Sequence, residues 1–223
     1  MLPIIEIMNL AMAPPGTPRQ YATDRLVVSH GDMVAIVSDP PIDGRHLLRV
    51  LATLARPGQG TYRFNGEMVN LKDYRQCLAV KRQIGYVAAD AAMISNRTIR
   101  ENLLLTRFYY ENDLSIDIDK KTEVLCRDAG LFQKLEQRPS VLNDSELLTA
   151  IAIREMGKAP AVMLVDRPER FLEIADADGV FIHLKNMVHA GAAVVFFSHH
   201  IKMTGLANRQ LTMADGEIRT RPV

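Results

Sequence analysis

The chain has 223 residues, of which 48% are hydrophobic, 24% are charged and only 6% are aromatic. This apolar content is enough to bury a core, which excludes an intrinsically disordered chain. With 27 basic against 26 acidic side chains the formal net charge is +1, so no basic surface for nucleic acid and no polybasic membrane patch is expected.

Strand signals dominate the first 90 residues. Short apolar or turn-bounded segments predict strands over residues 4–8, 26–29, 33–37, 61–64, 67–69 and 84–87. Residues 13–24 and 38–44 are predicted as loops. After the second loop, leucines at helical spacing predict a helix over residues 45–55. The Asn65-Gly66 pair that follows is typical of a hairpin turn.

Helices alternate with apolar strands in the rest of the chain. Helices are predicted over residues 98–110, 120–129, 144–158 and 176–190, strands over 161–165 and 192–197, and a hairpin over 211–219. This alternation is typical of an α/β parallel sheet, whose ligands bind at the carboxyl ends of the strands. The loops expected at those ends are residues 38–45, 166–169 and 198–200.

Seven segments occur in an order that points to a known family. They are residues 33–37, 60–66, 84–87, 98–103, 150–154, 161–168 and 198–199. This order resembles the nucleotide-binding subunit of ABC transporters over residues 4–219. The resemblance implies a P-loop NTPase-like cassette with a mostly parallel sheet, antiparallel strands from both termini and a small helical lobe. It implies a single domain over 1–223, with a core at about 1–90 and 159–223 and the lobe at about 91–158.

The segment after the strand at 33–37 departs from the phosphate-loop motif G-x-x-x-x-G-K-[ST]. Aligned without gaps, Ser38 and Asp43 replace the glycines, Gly44 replaces the Lys, and Arg45 replaces the Ser/Thr. The intervening Pro-Pro has no N–H to donate, and Asp43 would bring negative charge next to phosphates. We therefore expect a stiffened turn, a degenerate Walker A segment, instead of a phosphate site.

A one-residue slip in that alignment leaves an alternative open. It puts Gly44 at the second glycine, Arg45 at the Lys and His46 at the hydroxyl position. Arginine can bind phosphate through its planar fork. Histidine is a poor ligand for Mg²⁺, which prefers oxygen.

The resemblance assigns four further positions outside the phosphate loop. Ala89 stands in place of the family's glutamine, and Asp166 retains the Walker B carboxylate. Arg167 replaces the general base and cannot accept a proton, while His199 matches the switch histidine. With the other parts missing, Asp166 can instead bond to the neighbouring loop, and His199 can be a hydrogen-bonding residue at a strand end. No metal site is expected.

The family's signature sequence Leu-Ser-Gly-Gly-Gln is also altered. Its last four positions are occupied by Asn143, Asp144, Ser145 and Glu146. Asn143 or Asp144 can cap the helix that begins here, because acceptors and negative charge suit a helix N-terminus. The same charge occupies the place that an anion would take.

These observations predict a degenerate ABC-type subunit, a pseudo-ATPase with little or no ATP hydrolysis and no cofactor. The resemblance implies a structural or regulatory role in a transporter-like complex, with a transmembrane permease-like partner contacted by Phe108, Tyr109 and Tyr110. A homodimer, or a heterodimer with another cassette, is implied as well. The aromatic residues could equally be ordinary packing.

Two alternatives to this reading are retained. One is a divergent but active subunit that uses ATP and Mg²⁺ in a hetero-oligomer, with a lipid-type substrate among its options. The other is a binder of another anionic ligand at Arg45 and His46. The longest apolar stretches are too short to span a membrane and no secretory signal is expected, so the predicted location is cytoplasmic. The resemblance implies a peripheral position on the inner face of the membrane, held there through partners.

Overall fold

The computed structural model describes residues 2–171 and 178–222. Ten strands form one sheet. They are β1 (Ile5–Met12), β2 (Tyr21–Val28), β3 (Met33–Ser38), β4 (Gln59–Phe64), β5 (Glu67–Val69), β6 (Ile84–Val87), β7 (Val162–Asp166), β8 (Ala193–Phe197), β9 (Arg209–Ala214) and β10 (Glu217–Pro222). Their order is β5-β4-β1-β2-β10-β9-β3-β8-β7-β6.

The sheet has an antiparallel part and a parallel part. The strands β5, β4, β1 and β2 pair antiparallel, as do β9 and β10. From β9 through β3, β8 and β7 to β6 every pairing is parallel. The predicted fold class, a parallel sheet with antiparallel strands from both termini, is confirmed.

Seven α-helices are described. They are α1 (Pro41–Leu51), α2 (Tyr74–Lys81), α3 (Ile99–Glu111), α4 (Lys120–Asp128), α5 (Asp144–Gly157), α6 (Asp178–His189) and α7 (Ile201–Thr204). Capping boxes start two of them, with Thr98 and Glu101 at α3 and Asn143 and Glu146 at α5. Among the described helices none is long and apolar enough to cross a membrane.

The parallel strands are buried on both faces, which explains their uninterrupted apolar runs. In β3, Val34 and Ile36 join a core layer with α1 and the antiparallel strands. The alternate residues Met33 and Ala35 join a second layer, formed with α3, α4, α5 and α6. The predicted lobe helices therefore share this second layer with the sheet, and the division into core and lobe stays a prediction.

Several predicted boundaries were wrong. Helix α1 begins at Pro41 and not at residue 45, because proline fits the first helical position, where no N–H is needed. Strand β2 begins at Tyr21, so the preceding loop ends at residue 20. Helices α2 and α7 were not predicted, and the first residues of the helix expected over 176–190 lie outside the described residues.

Candidate functional site

Three neighbouring strands of the sheet bring the candidate residues together. Strand β8 lies between β3 and β7, and all three run parallel. Their carboxyl ends carry Ser38, Ser198 and Asp166, as the sequence predicted. The turn that leads from β3 into α1 therefore lies beside both other strand ends.

The turn into α1 is closed by its own hydrogen bonds. The Ser38 hydroxyl accepts a hydrogen bond from the Gly44 amide at 2.9 Å and donates one to the Pro40 carbonyl at 3.1 Å. The Asp43 amide donates to the same carbonyl at 3.2 Å. Pro40 and Pro41 have no N–H. The turn thus directs few free backbone donors outward.

Gly44 is a packing residue. A Cβ placed on it would lie 2.5 Å from Cδ2 and 2.8 Å from Cε2 of Phe197, and 2.8 Å from the Ser38 Oγ. Phe197 is fully buried in β8, so the helix can approach the sheet this closely only without a side chain at position 44. This accounts for a glycine where the ungapped alignment placed the Lys.

The expectation that Asp43 directs negative charge at a ligand was wrong. Its carboxylate is completely buried and faces the antiparallel part of the sheet. Oδ2 accepts a hydrogen bond from the Tyr21 hydroxyl at 2.7 Å and from Arg19 Nε at 2.8 Å. Burial and this hydrogen bond to Asp43 raise the pKa of Tyr21 to about 12. Arg19 compensates the charge, and Tyr21 belongs to a strand, not a loop.

Arg45 forms an ion pair with Asp166. Its Nε lies 3.1 Å from Asp166 Oδ2, which also accepts a hydrogen bond from the Ala89 amide at 3.4 Å. Asp166 is 5% exposed, and burial raises the pKa of its carboxyl, while Arg45 opposes that shift. Arg45 stands at the Ser/Thr position of the ungapped alignment, so it replaces one of the two groups that would share Mg²⁺ and is paired with the other, Asp166.

The residues after β7 and β8 are also held in place. Arg167 adopts a left-handed φ of 57°, and its amide donates to the Phe197 carbonyl at 2.9 Å. Ser198 donates from its hydroxyl to Glu169 Oε2 at 2.8 Å. His199 is exposed, and its ring packs edge-on against Phe197 with the centroids 4.9 Å apart. Sequence reasoning missed Glu169, because its partner lies on another strand.

The altered signature segment has structural contacts of its own. Asn143, not Asp144, is the N-cap of α5, and its side chain accepts from the Glu146 amide at 2.9 Å. Glu146 also pairs with Lys134. The Asp144 side chain is 94% exposed, and its Oδ2 lies 3.7 Å from Arg170 Nη2.

Arg170 connects three segments, and sequence reasoning did not single it out. Its carbonyl accepts a hydrogen bond from the Ser145 hydroxyl at 2.6 Å. Its Nη1 donates to the Ala89 carbonyl at 2.9 Å. The signature position, the glutamine position and the segment after β7 are thereby joined through one residue.

The aromatic residues predicted to contact a partner differ in exposure. Tyr109 is 65% exposed, whereas Phe108 and Tyr110 are partly buried. The Tyr110 ring lies under Arg82, with the guanidinium carbon 4.1 Å from the ring centroid. Only Tyr109 therefore presents most of its ring to solvent.

Few oxygen atoms in this region are free to hold Mg²⁺, which prefers several oxygen ligands. Asp166 Oδ2 is paired with Arg45 and the Ser38 hydroxyl is bonded within its turn, whereas Asp166 Oδ1 is buried and has no hydrogen-bond partner among the described residues. Among residues 2–171 and 178–222 no cluster of three or more His, Cys, Asp or Glu side chains could hold a metal ion. His183, on α6, contacts Asp128 at 2.8 Å.

Solved structures with this architecture define the class of the fold. An ATP-binding cassette, MJ0796, in a dimeric post-hydrolysis state with ADP and Pi, superposes with a TM-score of 0.79 at 20% identity over 98% of both chains. An ATP binding subunit of an ABC transporter gives a TM-score of 0.82 at 17% identity, covering 99% of this chain and 90% of that one. The chain has the fold of an ABC ATPase cassette.

Sequence comparison agrees with the fold, because the chain is similar to ABC transporter ATP-binding proteins. The lipoprotein-releasing system ATP-binding protein LolD of Maricaulis maris is 27% identical over 219 residues, which are 97% of this chain and 88% of LolD. The macrolide export ATP-binding/permease protein MacB of Wolinella succinogenes is 27% identical over 197 residues. This chain covers only 30% of the length of MacB. No protein-family model matches the chain.

Proposed function

We propose that this chain is a degenerate ATP-binding-cassette subunit of a transporter-like membrane complex, in which it has a structural or regulatory role. It hydrolyses little or no ATP. Its partners are a transmembrane permease-like subunit and a second cassette, identical or different. Through the permease it is held at the cytoplasmic face of the membrane. The homology to LolD and MacB, one named for lipoprotein release and the other for macrolide export, supports the transporter context.

The main support for the proposed lack of ATP hydrolysis is the ion pair between Arg45 and Asp166. A cation bound by Asp166 would compete with a guanidinium whose Nε is 3.1 Å from the same oxygen. Two like charges about 4 Å apart repel by about 4 kcal/mol at an effective dielectric near 20. Arg167 adds a further positive charge in the place of a general base, and arginine does not accept protons at neutral pH.

The relatives themselves favour a second candidate, a divergent but active ATP-binding subunit. Both LolD and MacB are named as ATP-binding proteins. In this reading Arg45 swings away from Asp166 and binds phosphate in place of lysine, because a guanidinium can hold two phosphate oxygens at once. Asp166 would then be free to hold Mg²⁺.

Calorimetry with Mg-ATP and a phosphate-release assay separate the two candidates. The degenerate subunit shows no binding at millimolar ATP and no release above buffer. Arg45→Ala is compared with Arg56→Ala, a change at an exposed arginine outside the site. Turnover that Arg45→Ala abolishes and Arg56→Ala leaves intact would refute the proposal and establish the active subunit.

Affinity purification from membranes in mild detergent tests the partner. A permease-like subunit should be recovered with the wild-type chain. Recovery should fall with Tyr109→Ala, because this ring is the exposed member of the aromatic group. Repeated failure to recover any membrane subunit would contradict the role in a transporter-like complex.

A further inference from the structure

A cavity lies along the outer side of α1, between this helix and the ends of β6 and β7. Its volume is about 480 Å³, which is in the range of small-molecule sites. Pro15, Ile42, Ala55 and Ala89 supply apolar wall. The cavity therefore offers room and apolar contact for an organic molecule beside α1.

The polar lining of this cavity carries an excess of positive charge. Arg45, Arg49 and Arg167 face two carboxylates, Asp90 and Asp166. Asp166 is already paired with Arg45. Within the part of the chain that the structure describes, neither Arg49 nor Arg167 has a salt-bridge partner. Two guanidinium groups in the lining are thus available to an incoming anion.

A buried donor in the same lining lacks an acceptor. The Nε atom of Arg167 is buried and has no hydrogen-bond partner among the described residues. A buried polar group without a partner calls for an explanation, such as a bound water, ion or ligand. Tyr86 also lines the cavity, and its phenol is protonated at neutral pH and can donate a hydrogen bond.

We propose that this cavity binds a small organic oxyanion, a carboxylate or a phosphate monoester on an apolar body, without Mg²⁺. Arg49 and Arg167 hold the anionic group, since a guanidinium donates two parallel hydrogen bonds to such oxygens. The apolar body lies against Ile42 and Ala55. The inference rests on the proposed function in one respect, namely that Mg-ATP does not occupy the neighbouring residues.

Calorimetric titration with benzoate and phenyl phosphate, and with benzamide as the neutral control, tests the proposal. We expect one or both anions to bind at one site per chain and benzamide to bind at least tenfold more weakly. The double change Arg49→Gln with Arg167→Gln should weaken anion binding at least tenfold, whereas Arg56→Gln leaves it unchanged. Arg49→Gln alone, at an exposed helix position, keeps the test valid if the double variant does not fold.

The outcomes separate this inference from the proposed function. No binding of either anion, or binding that both arginine variants leave intact, overturns the inference and does not bear on hydrolysis. Displacement of the bound anion by Mg-free ATP in EDTA assigns the cavity to a nucleotide and also overturns the inference. Which of the two anions binds more tightly decides between a carboxylate and a phosphate ligand.

Discussion

Replacing Gly44 by alanine tests whether this glycine is needed for α1 to pack against Phe197, and not for binding a phosphate. The added methyl group would lie 2.5 Å and 2.8 Å from two ring carbons of Phe197, and 2.8 Å from the Ser38 Oγ. Phe197 is completely buried between two neighbouring strands, so its ring has no free space to enter. The helix must therefore move away from the sheet, which also strains the 2.9 Å bond from the Gly44 amide to Ser38.

Opposing effects determine how much Gly44→Ala lowers the free energy of unfolding. Overpacking a filled core costs about 1–3 kcal/mol. Weakening the hydrogen bond to Ser38 adds about 0.5–1.5 kcal/mol, and the better helix propensity of alanine returns up to about 1 kcal/mol. We expect Gly44→Ala to lower the free energy of unfolding by about 0.5–4.5 kcal/mol, with a fall in Tm of about 2–4 °C for each kcal/mol in a chain of this length.

Urea unfolding followed by circular dichroism measures this loss. The matched control is Gly157→Ala at the end of α5, where the new Cβ would lie 3.4 Å from Thr122 Oγ1 and stability should be kept or raised. Phe197→Leu should relieve part of the clash, so the double variant loses less than the sum of the single variants. Wild-type stability of Gly44→Ala would show that the glycine is not required by packing.

Three other outcomes are expected. Arg45→Ala should lower the free energy of unfolding, measured in urea titrations, by about 1–3 kcal/mol, because it leaves the Asp166 carboxylate buried and unpaired. The double variant Arg45→Met with Asp166→Leu should recover most of this loss, because it removes both charges. Because folding raises the pKa of Tyr21 from 10 to about 12, its protonated phenol stabilises the folded state fully below pH 10, and this contribution is lost between pH 10 and about 12. Tyr21→Phe should therefore reduce the fall of Tm over that pH interval. Tyr109→Ala should lower the free energy of unfolding by no more than about 1.5 kcal/mol, because the ring is mostly exposed and contacts Tyr110 edge-on with the centroids 5.2 Å apart. A larger loss would show further packing of this ring within the chain.

Strong local signals made most of the fold predictable. The apolar runs of β3, β7 and β8 and the capping boxes of α3 and α5 are visible in the sequence, because both depend on residues close together in the chain. Helix α2 was missed because only Cys77 and Val80 are buried, which gives almost no apolar periodicity. The start of α1 was missed because a Pro-Pro pair was taken as loop, although proline fits a first helical turn.

The candidate site was predictable in position but not in its contacts. The carboxyl ends of the three parallel strands meet as expected, since topology alone determines that. The partners of individual charges depend on tertiary packing. Asp43 is paired with Arg19, 24 residues earlier, and faces away from the turn it was expected to charge. Ser145 is bonded to a carbonyl 25 residues later, which no local pattern indicates.

The contacts of Arg170 have a mechanical consequence. One side chain and its own carbonyl tie the start of α5 to the segment after β7 and to the end of β6. Sliding of the helical layer across the sheet must break at least one of these bonds. Arg170 therefore couples the position of the start of α5 to the segments that follow β6 and β7.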